Sequence, residues 1–418
     1  MRNQSTIGAE TLAIAPILAI LYCLCFTNLF LRSNFGIMAP DLARELALEP
    51  AVLSAVASAY FLAYAVMQVP TGMLLDRYGA RRTVAAMLLF AAAGTAMFAA
   101  GSSASTLVLA RLLMGIGCAG VFTGAFFVLT RWLPPDRVVT QVGGLNSFGS
   151  VGALCATTPF AALIAWIGWR QSYWLFTALV LGLMLAVAAF LRDTPSSAAA
   201  APARREGFGA ALSGVIEACR QPGIPRLLVA GVPMSGAGTI SGVWGAPYLK
   251  DVHALDDLGR GNVLLAMALC AIAGHALHGY LARRLNTLKG MILGASAIIF
   301  MATALLALVQ RPPVALVIAL FCLIGLTAAY PAVAHTQARG LVPPHLVGRG
   351  VALSNMGIMM AVSIMQLVFG WIVGTFVSAA EPPPEHAFRA AFAVQAAVTL
   401  LAVVIYAPIQ DVKPRDEG

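Results

Sequence analysis

Gly72-Met73-Leu74-Leu75-Asp76-Arg77-Tyr78-Gly79-Ala80-Arg81-Arg82 sets four charged side chains and two glycines between two long apolar runs. Gly72 and Gly79 permit a tight turn there, and Asp76 can sit against a helix N-terminus or an arginine. A degenerate copy, Gly279-Tyr280-Leu281-Ala282-Arg283-Arg284, follows 207 residues later. Leu133-Pro134-Pro135 with Asn146 and Gly149 is likewise repeated by Val342-Pro343-Pro344 with Asn355 and Gly357. Two correspondences in the same order imply a chain built from two related halves.

The runs around these motifs fix the solvent. Of 418 residues, 60% are hydrophobic and 10% charged, with a mean hydropathy of +0.85. A soluble domain carries about a quarter charged residues. A bilayer core needs roughly 20 apolar residues per helical crossing, and long continuous runs suit helices, not the alternating strands of a barrel. Breaks at charged, Pro and Gly clusters predict helices over 14–40, 51–75, 83–101, 106–131, 138–167 and 171–191, then over 226–249, 258–282, 290–310, 313–338, 349–378 and 387–407. The expected fold is an all-α membrane protein of twelve transmembrane helices in two six-helix bundles, 1–191 and 226–418, joined by a polar linker over 192–225. The first run is too long for a signal-peptide core and stays as a membrane helix. The seven cysteines lie mostly in apolar runs and read as small buried hydrophobes, with no zinc-ligand spacing among them.

A net charge of +9 would suit nucleic acid only if the cations formed one patch. They fall instead in alternate gaps between the runs. With a cytoplasmic N-terminus, about 18 of the 26 Lys and Arg residues lie in the even gaps and the termini, including Arg77, Arg81, Arg82, Arg283, Arg284 and Lys289. The positive-inside rule then places both termini in the cytoplasm and the chain in the cytoplasmic (inner) membrane.

The eleven residues from Gly72 to Arg82, the six-plus-six layout and the copy after Gly279 resemble the major facilitator superfamily along essentially the whole chain. The resemblance implies a secondary transporter working by alternating access. It also implies a latch over Gly72, Asp76, Arg77, Gly79, Arg81 and Arg82 that holds the cytoplasmic side shut in the outward-facing state. Arg283 stands where the first half has Asp76, so a carboxylate latch carries over only for the first half. A purely topogenic basic loop is the alternative reading.

Arg32 lies well past the middle of the first helix, in Leu29-Phe30-Leu31-Arg32-Ser33-Asn34-Phe35-Gly36, with Asn28 and Gly36 on its face. An arginine at depth is costly and by default functional. It either binds substrate or snorkels to the headgroups. Leu31 to Leu42 is similar to the first-helix pattern of the organic-anion and sugar-phosphate branches, where the arginine binds a carboxylate or phosphate. Arg111, in Leu109-Ala110-Arg111-Leu112-Leu113-Met114-Gly115, resembles the family's fourth-helix arginine. Cys118 occupies the position where the organic-anion branch commonly carries an acid for proton coupling. All 17 Asp and Glu residues lie outside the deep parts of the runs, so an anionic substrate would offset the two arginines. The expectation is that Arg32 and Arg111 face one aqueous cavity and grip the same anionic group.

Tyr60, Tyr64 and Gln68 form a stripe at i, i+4, i+8 that either lines the pore or packs on a neighbouring helix. Asn146, Trp244, Tyr248, Tyr330, His335 and Asn355 are the other polar candidates for substrate binding. His335 could carry a proton, and His275 with His278 has metal spacing without a third ligand. No nucleophile constellation, Walker loop or dinucleotide fingerprint is present, which disfavours enzyme and ATPase readings, and no cofactor is implied. The reading is a monomeric carrier of a small organic anion, coupled to a proton or a counter-anion where it is coupled. An efflux carrier for amphipathic compounds is one alternative, since Gly149, Gly152 and Pro159 loosely match a fifth-helix signature. A transporter-like receptor is the other.

Overall fold

The computed structural model describes residues 4–194, 208–377 and 383–413. Among these, the helices follow one another as twelve segments, consistent with twelve crossings; ten helices are long and apolar enough on their own to cross a membrane, and a bent pair makes an eleventh. α1 runs Gln4–Ser33 and resumes after a break at Asn34 as Phe35–Glu45. α2 begins as Pro50–Val66 and continues from Gln68 to the turn at Gly79, where α3 starts and runs to Ala100. α4 is Ala104–Cys118 and Gly120–Trp132, α5 is Pro135–Cys155 and Thr158–Ile167 with a 45° bend, and α6 is Trp169–Phe190. The second half supplies α7 (Ile224–Asp251), α8 (Asp257–Leu285), α9 (Leu288–Leu308), α10 (Val314–Gly340), α11 (Pro344–Thr375) and α12 (Glu385–Tyr406). The expected boundaries lie within a few residues of these, because charged and Pro/Gly clusters mark where the chain leaves the apolar phase.

The linker departs from a plain polar connection. Phe208–Cys219 forms a helix, whose Gly214 lies against the Arg349 guanidinium and whose Glu217 meets His345 at 3.3 Å. Ala210, Ala211, Leu212, Glu217 and Ala218 are good helix formers in this stretch, and with its apolar start they set it apart from the polar residues before it.

The Gly72–Arg82 segment makes its turn at Gly79, with φ +79. A Cβ there would collide with the Asp193 carboxylate. That carboxylate accepts from the Arg81 backbone N–H at 2.8 Å, and the Arg81 guanidinium donates to the Ala188 carbonyl through Nε at 2.8 Å and through its Nη2. In this conformation the segment is therefore tied to the end of α6 within its own bundle, while Asp76, Arg77 and Tyr78 are exposed.

The two bundles close on each other at the end opposite the chain termini. Gly36 of α1 comes so near α7 that a Cβ would sit 2.6 Å from the Ser241 carbonyl oxygen, in the π-helical turn Ile240–Trp244. Gly370 of α11 packs directly on Ser54 of α2. Cross-bundle hydrogen bonds gather here: Trp244 Nε1 donates to Ser54 Oγ at 3.0 Å, Ser363 Oγ to the Ser58 carbonyl at 3.0 Å, and Thr158 Oγ1 to Asn262 Oδ1 at 2.9 Å. Arg260 of α8 is buried in the same seam, ion-paired with Asp257 and beside Asp41, Ile37, Ala161 and Ile164 of the first half. Nearby, Glu45 accepts from Trp169 Nε1 at 2.6 Å and pairs with Arg170 at 2.8 Å, and these contacts hold its carboxyl below the usual carboxylate range.

Candidate functional site

The breaks in α1 and α4 set the local chemistry. A helix leaves its last four carbonyls without intrahelical donors. Leu31 is among those of the first piece of α1, and Cys118 is the last residue of the first piece of α4. Each is served from the other helix: Arg111 Nη1 donates to the Leu31 carbonyl at 3.1 Å, and Asn28 Nδ2 donates to the Cys118 carbonyl at 2.7 Å. The positive guanidinium also suits the negative end of the α1 dipole. The result is a reciprocal clasp between the two helices. Tyr173 of α6 adds a bond from its hydroxyl to Asn34 Oδ1 at 3.0 Å, at the break itself.

This geometry corrects the expectation that both arginines face one aqueous cavity. Arg111 is 0% exposed, enclosed by the rings of Phe35 (5.1 Å) and Tyr60 (4.7 Å). Its Nε and Nη2 are buried without hydrogen-bond partners. The physical reason is that the freed Leu31 carbonyl and two aromatic faces offer the guanidinium a seat inside the bundle. Arg32, one residue further along α1, is only half-buried. It lies over the Phe61 ring of α2 at 5.6 Å.

The remaining candidates divide. Tyr60 and Tyr64 are buried and stacked at 6.1 Å, and Gln68 is buried with its Nε2 donating to the Tyr64 carbonyl. The Tyr60 hydroxyl has only the Cys118 thiol, a weak partner, beside it. Trp244, Tyr248 and Tyr330 do not reach the gap. Trp244 is spent on Ser54 and the Phe369 ring, Tyr248 on a nest of Phe321, Phe388 and Phe392, and Tyr330 on the Ala230 carbonyl at 2.9 Å. The Trp244 indole N–H and the Tyr330 hydroxyl are bonded within the closed seam and the second bundle, and the Tyr248 ring is enclosed by aromatic neighbours, which removes them from a binding role in this conformation. Asn146 is exposed, Asn355 half-buried, and His335 half-buried with an unpartnered Nε2. Sequence reasoning weighed His275 only for metal. In the structure its Nδ1 bonds to the Ala271 carbonyl of its own helix at 2.7 Å.

Two six-helix halves closed on each other at one end, with a half-buried arginine at depth in the first, define a two-bundle membrane carrier fold. Residues 21–309 and 279–417 match the Major Facilitator Superfamily, and the chain belongs to that family. A probable L-galactonate transporter of Escherichia coli (strain K12) is 24% identical over 409 residues, covering 93% of this chain and 87% of that protein. A probable sulfoacetate transporter of Cupriavidus necator is 27% identical over 182 residues, which are 44% of this chain and 42% of that protein, so the match spans under half of its length. Among solved structures, a bacterial homolog of the human lysosomal transporter Spinster superposes with a TM-score of 0.75 over 94% of this chain and 95% of its own, at 16% identity, which speaks for the fold alone.

Proposed function

We propose that the chain is a secondary transporter that carries a small organic anion across the cytoplasmic membrane by alternating access, with both termini in the cytoplasm. The observation that carries this reading is Arg32. It is a half-buried guanidinium at membrane depth, set over the Phe61 ring, while every described Asp and Glu sits at a helix end or in a connection. A charge in that position is costly until an anion neutralises it. The similarity to relatives named for L-galactonate and sulfoacetate points to the same substrate class. Arg111 acts behind it, holding the segment of α1 that presents Arg32. Closure opposite the termini corresponds to an inward-facing state, in which the site is reached from the cytoplasm.

The test is uptake and binding of labelled sulfoacetate and L-galactonate in proteoliposomes. A charge-assisted hydrogen bond contributes about 1.5–3 kcal/mol, so Arg32→Ala weakens binding by about ten- to a hundredfold or more. Arg32→Lys also loses affinity, because an ammonium cannot grip a carboxylate or sulfonate through two parallel bonds. Preference for organic cations, or wild-type affinity in Arg32→Ala, would overturn the reading.

A further inference from the structure

We infer that the second bundle holds a monovalent cation of sodium's size, seated among the side-chain oxygens of Thr239, Thr303 and Gln395. The site lies wholly within that bundle, so the inference stands apart from the anion reading. Thr239 and Ile240 of α7, Thr303 of α9, Phe369 of α11, and Phe392 and Gln395 of α12 line one small cavity. The three polar side chains are almost fully buried. Gln395 turns its Nε2 toward the Val232 carbonyl at 3.4 Å, the Ser235 hydroxyl at 3.4 Å and the Thr399 hydroxyl at 3.3 Å. That leaves Oε1, on the other arm of the amide, without a hydrogen-bond partner, and Thr239 Oγ1 is unpartnered as well. Thr303 Oγ1 donates to the Ile299 carbonyl at 2.8 Å and keeps its lone pairs free for a ligand.

The chemistry of these atoms selects the occupant. An amide oxygen only accepts, and a buried acceptor with nothing to accept from is costly. A water molecule would ordinarily serve it, but the cavity has no room for one. A bare sodium ion is smaller than a water molecule and binds oxygen lone pairs directly, while potassium is larger and fits less well. Phe369 and Phe392, with ring centroids 5.2 Å apart, close the remaining sides against water. The charge of the ion follows from the donors. A divalent ion is held through carboxylates or through nitrogen and sulfur ligands, and none of these lines the cavity. Neutral oxygens suit a single positive charge. Thr239 is also the last residue of the α-helical piece Gly231–Thr239, just before the π-helical turn Ile240–Trp244. The C-terminal end of such a piece carries partial negative charge, and interrupted membrane helices hold sodium at ends of this kind.

The experiment uses the purified full chain in detergent without substrate, in sodium, potassium or choline chloride at equal ionic strength. Wild type is expected to bind about one radioactive sodium ion per chain. Its thermal midpoint should rise by a few degrees, saturably, in sodium over choline, with a smaller rise or none in potassium. Thr239→Val and Gln395→Leu are each expected to lose sodium binding and the sodium-dependent rise. Their midpoints in choline should be no lower than that of wild type, because each change removes an unpartnered buried oxygen. Thr239→Ser, which keeps the oxygen, is expected to retain the response, and that rescue distinguishes a lost ligand from lost packing. Equal wild-type midpoints in sodium and choline with no bound sodium would overturn the inference. So would sodium binding that persists in both Thr239→Val and Gln395→Leu.

Discussion

Asn28 and Arg111 each satisfy a carbonyl that the other helix leaves open, so neither bond is incidental to the residue that donates it. Asn28→Ala strands the Cys118 carbonyl in a dry interior and is expected to cost about 1–3 kcal/mol of stability, read as a lower thermal midpoint in detergent. Arg111→Ala strands the Leu31 carbonyl and opens a void between Phe35 and Tyr60. Because both act on the α1–α4 pair, the double variant should lose less than the two single losses added together. Strict additivity would mean that the two contacts stabilise different things and that the clasp is not a unit. The sequence distinguishes Arg32 from Arg111 poorly, since both are arginines inside apolar runs and depth alone argues function for each. What separates them is which carbonyl is free and which rings enclose the guanidinium. Those facts follow from helix breaks at Asn34 and Ala119 that no proline marks.

The helices themselves were largely legible, because a bilayer imposes a length on every crossing and charged residues punctuate the gaps. The finer events inside them were not. The π-helical turn Ile240–Trp244, the breaks in α1 and α4 and the linker helix over Phe208–Cys219 depend on what packs against each segment, which hydropathy does not encode. Gly36 is the place where such packing can be tested. A Cβ there would meet the Ser241 carbonyl at 2.6 Å, a backbone atom that cannot rotate away, so even Ala strains the seam and Leu cannot fit. Gly36→Leu is therefore expected to hold the α1–α7 contact open and slow transport, while folding within each bundle persists. A cysteine placed at Ser58, now bonded across the seam by Ser363, reports the change: it should label from outside in Gly36→Leu far faster than in wild type. Equal labelling rates would show that the seam yields without cost.

At the scale of the molecule, the repeat and the Gly72–Arg82 motif sufficed for the two-bundle fold, but the conformation could not be read. If the carrier alternates access as proposed, one sequence serves both the inward-facing and the outward-facing packing, and its residues carry the interactions of each. The structure realises one set. Arg260, with Asp257 and the nearby Asp41, lies buried in the closed seam opposite the termini, whereas Asp76 is exposed at the other end. If Asp76 serves the latch that the family resemblance implies, the two residues stabilise opposite states. Arg260→Gln then removes a buried charge that supports the inward-facing state and should shift the population outward. Asp76→Asn removes one that supports the outward-facing state and should shift it inward. A ligand-free equilibrium with a gap of a few kcal/mol responds visibly to changes of about 1–2 kcal/mol, roughly a five- to thirtyfold change in the ratio of states. Paired cysteine probes, one at Ser58 in the seam and one at Asn146 toward the termini, measure both ends in the same protein. The expected result is faster labelling at Ser58 and slower at Asn146 in Arg260→Gln, the reverse in Asp76→Asn, and near wild-type rates at both ends in the double variant. Shifts in the same direction would mean that the two charges support one state, and the assignment of Asp76 to the closing of the cytoplasmic end would then be wrong.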